Sequence, residues 1–117
     1  MFRFESLEIW REAVEYASRI YSVTSKFPAS ETYALSDQLR RAAVSISANI
    51  AEGSGSASAK DFRNYLSIAI KSVFETVSLL KIAERNRYIS NREYADSYTA
   101  VETLVKKIQS FRNSLRK

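Results

Sequence analysis

The stretch from Leu35 to Gly53 reads LSDQLRRAAVSISANIAEG. Its apolar residues recur every three or four positions, which is the spacing of one face of an α-helix. They are Leu35, Leu39, Ala42, Ala43, Ile46 and Ile50. Gly53 then stands where a residue in the left-handed conformation usually closes a helix. The pattern predicts an amphipathic helix from about residue 30 to residue 52.

Outward from this helix, the same periodicity predicts three more helices, over residues 6–25, 58–86 and 90–115. Glycine and proline, the strongest breaks in local structure, occur only at Pro28, Gly53 and Gly55. Ser58 with Asp61, and Ser90 with Glu93, have the spacing of capping boxes at helix starts. The apolar stripe of the first helix is Leu7, Trp10, Val14, Ala17, Tyr21 and Thr24. The stripe of the third helix is Phe62, Leu66, Ala69, Val73, Val77 and Leu80. The stripe of the fourth helix is Tyr94, Tyr98, Val101, Val105 and Ile108.

Short connections make consecutive helices antiparallel neighbours. The sequence therefore predicts an all-α protein, an antiparallel up-down-up-down four-helix bundle forming one domain over residues 1–117. We expect Tyr94 and Tyr98 to lie in its core rather than to stack on a ligand.

The composition argues against catalysis. The 117 residues include no cysteine and no histidine, which removes thiolate chemistry, the commonest general base and the commonest metal ligands. We expect no enzyme activity, no catalytic residues, no metal site and no cofactor. No apolar run approaches the length of a membrane span, and the first residues lack the apolar stretch of a signal peptide. We expect a cytoplasmic protein that does not bind membranes.

Three segments carry a family resemblance: FESLEIW at residues 4–10, Phe27-Pro28 with Glu31, and QLRRAAVSISANIAEG at residues 38–53. Together they resemble the four-helix bundle proteins named for open reading frames in 23S rRNA intervening sequences. The resemblance implies a homopentamer without established catalytic activity. A more distant similarity is to the accessory protein of diversity-generating retroelements, a basic pentamer that binds nucleic acid and a partner reverse transcriptase. The chain departs from the family pattern at Ser56 and Ala57, where arginine is frequent, and at Lys71, where glycine is frequent.

One polar edge follows the apolar stripe of the second helix. It comprises Gln38, Arg41, Ser45, Asn49 and Glu52, spaced by three and four. We interpret it as a hydrogen-bonded strip at a helix–helix or subunit contact, in which Arg41 pairs with Glu75 or Glu52. A ligand-binding strip is the alternative.

The net charge of +5 lies in the last third of the chain, because residues 85–117 hold eight basic and three acidic residues. The segment from Lys106 to Lys117 has five bases and no acid, and we expect it to extend beyond the bundle or fray. The candidate nucleic-acid-binding residues are Lys106, Lys107, Arg112, Arg116 and Lys117, together with Arg40, which is expected to face solvent. Alternatively, cations at a helix C-terminus complement the helix dipole and need no ligand.

The third helix has more apolar surface than one bundle seam requires. Beside its stripe it carries Tyr65, Ile68, Leu79 and Ile82, which favours an oligomer interface over the alternative of a simply more central helix. Two functions follow: an oligomeric protein that binds nucleic acid, RNA favoured, through phosphates, or a protein-interaction and assembly module whose basic ends dock an acidic partner protein.

Overall fold

The structure is a computed structural model that describes residues 1–115. Within these residues the chain forms four α-helices. They are α1 (Glu8–Thr24), α2 (Leu35–Ser54), α3 (Ala59–Arg85) and α4 (Asn91–Ser114). Each helix packs on the next, and α4 also packs on α1, which closes the bundle. The described residues contain no β-strand, and the bundle measures 46 × 23 × 22 Å. The predicted four-helix bundle is confirmed.

Polar caps fix the starts of α3 and α4. The Ser58 hydroxyl accepts a hydrogen bond from the Asp61 amide at 3.1 Å. At α4 the bonding is reciprocal, since Ser90 accepts from the Glu93 amide at 3.0 Å and Glu93 accepts from the Ser90 amide at 3.1 Å. These bonds satisfy amides that have no partner within the helix. The predicted capping box is confirmed at Ser90 and Glu93, whereas at Ser58 the structure shows only the bond from the Asp61 amide to the Ser58 hydroxyl.

The start of α2 differs from the prediction. Residues Ala29–Glu31 form a 3-10 turn, and the α-helix begins at Leu35 rather than near residue 30. The Glu31 carboxylate accepts a hydrogen bond from the Leu35 amide at 3.2 Å and a second one from the Tyr88 hydroxyl at 3.1 Å. Glu31 therefore acts as a cap outside α2 and joins the α2 start to the α3–α4 connection.

Gly53 does not close α2, because the helix continues to Ser54 and neither glycine has a positive φ. A Cβ at Gly53 would lie 2.8 Å from Cδ1 of Phe62 and 2.8 Å from Cβ of Tyr65. The prediction of a left-handed cap is wrong. The glycine instead allows α2 and α3 to approach closely beside their connection.

The core confirms the predicted stripes of α2 and α3, corrects that of α1, and confirms only Val101 and Ile108 of the stripe of α4. All six stripe residues of α2 are buried, and so are five of the six in α3. In α1, however, the buried residues are Ile9, Ala13, Tyr16, Ile20, Val23 and Thr24, whereas Val14 and Tyr21 are exposed. Tyr98 of α4 is 40% exposed, so the expectation that it is a core residue is also wrong.

One residue of the α3–α4 connection, Arg87, has the left-handed backbone conformation that glycine adopts most easily. Arg87 has φ 62°, while its amide donates to the Glu84 carbonyl and the Tyr88 amide donates to the Ala83 carbonyl, both at 2.9 Å. This pair of bonds is a Schellman motif with arginine at the left-handed position.

Arg87→Gly is expected to raise the free energy of unfolding by about 1 kcal/mol, because a Cβ in the left-handed region costs about 1–2 kcal/mol and glycine loses part of that gain to chain entropy. Denaturant unfolding measures the change. Arg87→Ala is the control, since it removes the same charge but keeps the Cβ, and an equal gain in both variants would contradict the backbone explanation.

Candidate nucleic-acid interface

The last turns of α4 lie against the bundle rather than beyond it. Lys107 Nζ is 2.7 Å from Glu12 Oε2 and 3.3 Å from Glu8 Oε2. The hydrogen bond to Glu12 contributes most to raising the pKa of Lys107, and the bond from Lys107 lowers the pKa of Glu8. The expectation that this segment frays is wrong for the residues up to 115. The charge of Lys107 is balanced by two carboxylates and ties α4 to α1.

Arg112, in contrast, bonds within residues 1–115 only to an uncharged group. Its Nη1 donates to Ser67 Oγ at 3.3 Å, and Ser67 Oγ donates to the Arg63 carbonyl at 3.0 Å. Arg63 Nη1 donates to the Leu115 carbonyl at 3.2 Å. No carboxylate of residues 1–115 lies within 4.0 Å of either guanidinium. We call Arg63 and Arg112 the arginine pair. Both are half-buried, and neither forms an ion pair with another of the residues 1–115.

The outer face of α3 extends this positive region. Positions spaced by three and four along one face hold Lys60, Arg63, Ser67, Lys71, Phe74, Ser78, Lys81 and Arg85, without an acidic residue. We call Lys60, Lys71, Lys81 and Arg85 the basic strip. Lys81 pairs with Glu84 at 2.8 Å, and it is the one member with a carboxylate partner among the described residues.

The remaining sequence candidates are dispersed. Lys106 is exposed, whereas Arg116 and Lys117 lie outside the described residues. Arg40 lies near the opposite end of the bundle, where its Nε donates to Thr24 Oγ1 at 2.7 Å and its guanidinium lies 4.8 Å from the Tyr21 ring centre. The expectation that Arg40 faces solvent is wrong, because the side chain is half-buried between α1 and α2.

Sequence reasoning did not select Arg63. The sequence pattern that could have indicated Arg63 is the i, i+3, i+4 spacing of basic residues on α3. That spacing is as typical of a solvent-exposed helix face as of a binding site. Only the packing of α4 beside α3 brings Arg63 to Arg112.

The polar edge of α2 divides into a bonded part and an exposed part. Asn49 Nδ2 donates to the Ser45 carbonyl at 2.8 Å and to Ser45 Oγ at 3.0 Å, and Ser72 Oγ of α3 donates to Ser45 Oγ at 2.9 Å. These residues form a hydrogen-bonded contact between α2 and α3. The others are exposed: Gln38, Arg41, Glu52 and Glu75. Within residues 1–115 Arg41 pairs with neither glutamate, which corrects the predicted ion pair.

The groove between α1 and α4 is mainly acidic, with four carboxylates and Arg19 in its lining. It has a volume of about 720 Å³, and its carboxylates are those of Glu12, Glu15, Glu93 and Asp96. The hydrogen bond from Lys26 is the main cause of the lowered pKa of Glu93. No group of three or more metal-ligating side chains occurs in the described chain. The charge of the bundle is thus divided between an acidic α1–α4 groove and a basic α3 face.

This arrangement defines a class: a small antiparallel helical bundle with one basic outer face. The family described as 23S rRNA-intervening sequence protein matches residues 5–110, and the chain belongs to that family. The chain is also similar to a solved structure from Bacteroides thetaiotaomicron, a protein of unknown function from the S23 ribosomal protein family. The two are 29% identical with a TM-score of 0.82, and the match covers 91% of this chain and 99% of the other. No curated protein matches the chain.

No helix among residues 1–115 combines the length and the apolar character that crossing a bilayer requires.

Proposed function

We propose that this protein is a non-catalytic, homo-oligomeric bundle that binds nucleic acid, RNA in preference to DNA, through its phosphates. The observation that carries the proposal is the arginine pair, because Arg63 and Arg112 bond to neutral groups between α3 and α4 and have no carboxylate partner among residues 1–115. The basic strip adds cations along the same face of α3 as Arg63, and Lys106 of α4 is also exposed. A cytoplasmic location is part of the proposal.

Guanidinium groups suit this role because they bind phosphate oxygens with two parallel hydrogen bonds. The current partners of the arginine pair are a hydroxyl and a carbonyl, both neutral. Exchanging them for a phosphate adds a charge–charge attraction, and such contacts carry no sequence information. We therefore expect binding that is largely independent of base sequence.

Assembly would repeat this surface. Val44 of α2 and Ile68 and Ile82 of α3 are 41–46% exposed and lie where these two helices meet solvent. Of the other apolar residues predicted for an interface, Tyr65 is half-buried and Leu79 is buried in the core. We assign the exposed α2–α3 face to the contact between copies, with a pentamer as the expected state from the family resemblance. A closed ring presents the arginine pair multivalently.

A salt titration tests phosphate binding. Binding to single-stranded RNA, duplex RNA and DNA is expected to weaken with salt, and Arg63→Ala/Arg112→Ala should reduce the slope of log affinity against log salt by about two units per protomer in contact. Arg19→Ala/Lys26→Ala is the matched control, since it removes two charges from the acidic side of the bundle. Absence of binding at low ionic strength, or equal losses in both double variants, would contradict the proposal.

Light scattering tests assembly. The wild-type protein is expected at a multiple of the 13.3 kDa protomer mass, and Ile68→Glu/Ile82→Glu should give a folded monomer because two charges would be buried at the contact. A wild-type monomer would refute the assembly proposal. Assembly without nucleic-acid binding would instead favour the alternative function, a module that docks an acidic partner protein.

A further inference from the structure

A second surface feature adjoins the basic strip. An apolar groove of about 420 Å³ runs between α3 and α4, and its lining includes Phe74, Val77, Tyr98 and Val105. Phe74 is 63% exposed and Tyr98 is 40% exposed. Large apolar rings exposed together in a groove mark a binding surface more often than a solvated one.

No residue of the basic strip is among those that line this groove, but the strip shares a helical face of α3 with Phe74, which does line it. Phe74 lies on the same helical face as Lys71 and Lys81. Lys81 Nζ lies 4.5 Å from the Tyr94 ring centre, and the Tyr94 and Tyr98 rings are 6.0 Å apart. Lys71, Phe74 and Lys81 thus follow one another along a face of α3, and Lys81 contacts the Tyr94 ring of α4.

We propose that this groove binds single-stranded nucleic acid, with bases stacked on Phe74 and Tyr98 and with phosphates on the basic strip and the arginine pair. The inference rests on the proposed function and specifies its ligand. Along α4, Tyr94 and Arg112 are separated by about 27 Å at 1.5 Å per residue, which spans several nucleotides. One extended strand could therefore contact both the aromatic residues near Tyr94 and the arginine pair.

Single strands fit this chemistry better than duplexes do. Every base has a face that stacks on an aromatic ring, but in a duplex those faces are covered by neighbouring bases. The Phe74 ring has no hydrogen-bonding group with which to read base edges. Stacking in the groove would be tolerant of sequence, as phosphate binding is.

One acidic residue opposes the ligand. Glu102 lines the groove, and a carboxylate beside a phosphate chain repels it. Glu102→Gln is therefore expected to tighten binding to the single strand. Glu15→Gln, in the acidic α1–α4 groove, removes the same charge from the other side of the molecule and should leave the affinity unchanged.

Fluorescence anisotropy tests the proposal with an unstructured single-stranded RNA of about 15 nucleotides, the upper range of known site sizes, and with a duplex of the same sequence. Phe74→Ala should weaken binding of the single strand by about 5–150-fold, the value of one stacked base, and duplex binding by much less. Phe74→Trp should retain the wild-type affinity. Tyr33→Ala is the control, because Tyr33 is an aromatic residue that is 95% exposed outside the groove.

Two results would overturn the inference. If duplex and single strand bind through the arginine pair while Phe74→Ala changes neither affinity, the groove is not the site although the proposed function stands. If Phe74→Ala lowers the mass measured by light scattering without changing affinity, a second copy of the chain covers the groove. Circular dichroism checks that the variants fold, which is expected because Phe74 is exposed.

Discussion

Gly53→Val is expected to lower the free energy of unfolding by about 2 kcal/mol, within the usual 1–3 kcal/mol for overpacking a well-packed site. The first added carbon would lie 2.8 Å from the Phe62 ring and 2.8 Å from Cβ of Tyr65. Tyr65 Cβ moves only with its backbone, so α2 and α3 would have to separate. The higher helix propensity of valine recovers only a few tenths of a kcal/mol.

Gly55→Ala is the matched control. An added Cβ there would meet only the Glu52 carbonyl oxygen, at an ordinary 3.6 Å, and Gly55 has φ −90°. Because alanine adopts this conformation without strain, we expect a gain of about 0.4–1 kcal/mol from the reduced entropy of the unfolded chain. Denaturant unfolding followed by circular dichroism compares the two variants. A loss at Gly55 equal to that at Gly53 would contradict the close-approach explanation.

The two glycines show what local sequence predicts and what it leaves open. A glycine after a helical stripe indicates the end of a helix to within two residues, and α2 does end at Ser54. Whether that glycine adopts a left-handed conformation or accommodates another helix depends on Phe62 and Tyr65. Those residues belong to α3, and their distance from Gly53 is set by packing.

The first helix shows a second limit of periodicity. Its sequence supports two apolar faces, one with Ile9 and Ile20 and one with Val14 and Tyr21. Both have helical spacing, so the pattern predicts a helix without deciding which face is buried. The bundle buries the first face, while Arg40 of α2 covers Tyr21.

The candidate site was predictable as a region but not as a set of free charges. The absence of acids after Lys106 is a property of the sequence. The neutralisation of Lys107 by Glu8 and Glu12 joins residues almost a hundred positions apart. The same long-range packing places Arg112 beside Arg63. The fold therefore removes Lys107 from the candidate phosphate-binding residues and adds Arg63.

A buried hydroxyl pair links α1 to α3 and can be tested by a double-mutant cycle. The Tyr16 hydroxyl donates to Thr76 Oγ1 at 2.9 Å, and Thr76 donates to the Val73 carbonyl at 2.8 Å. Thr76 is fully buried, and burial raises the pKa of Tyr16 to about 12. Desolvation thus keeps the phenol protonated, and the proton needs an acceptor.

Thr76→Val is expected to cost about 1–3 kcal/mol, because it leaves the Tyr16 hydroxyl buried without an acceptor. Tyr16→Phe should cost about 1 kcal/mol, since Thr76 keeps its bond to the Val73 carbonyl. The double variant leaves no orphaned donor, so its cost should fall short of the sum by about 0.5–3 kcal/mol. Denaturant unfolding of the four proteins measures this coupling.

Ser97→Ala is the control for removing a buried hydroxyl. Ser97 is fully buried, and its Oγ has no hydrogen-bond partner within residues 1–115. Removing it abolishes a desolvation cost without breaking a bond, so stability should stay the same or rise. If Thr76→Val were as harmless as Ser97→Ala, or if the cycle were additive, the Tyr16–Thr76 bond would not contribute to holding α1 against α3.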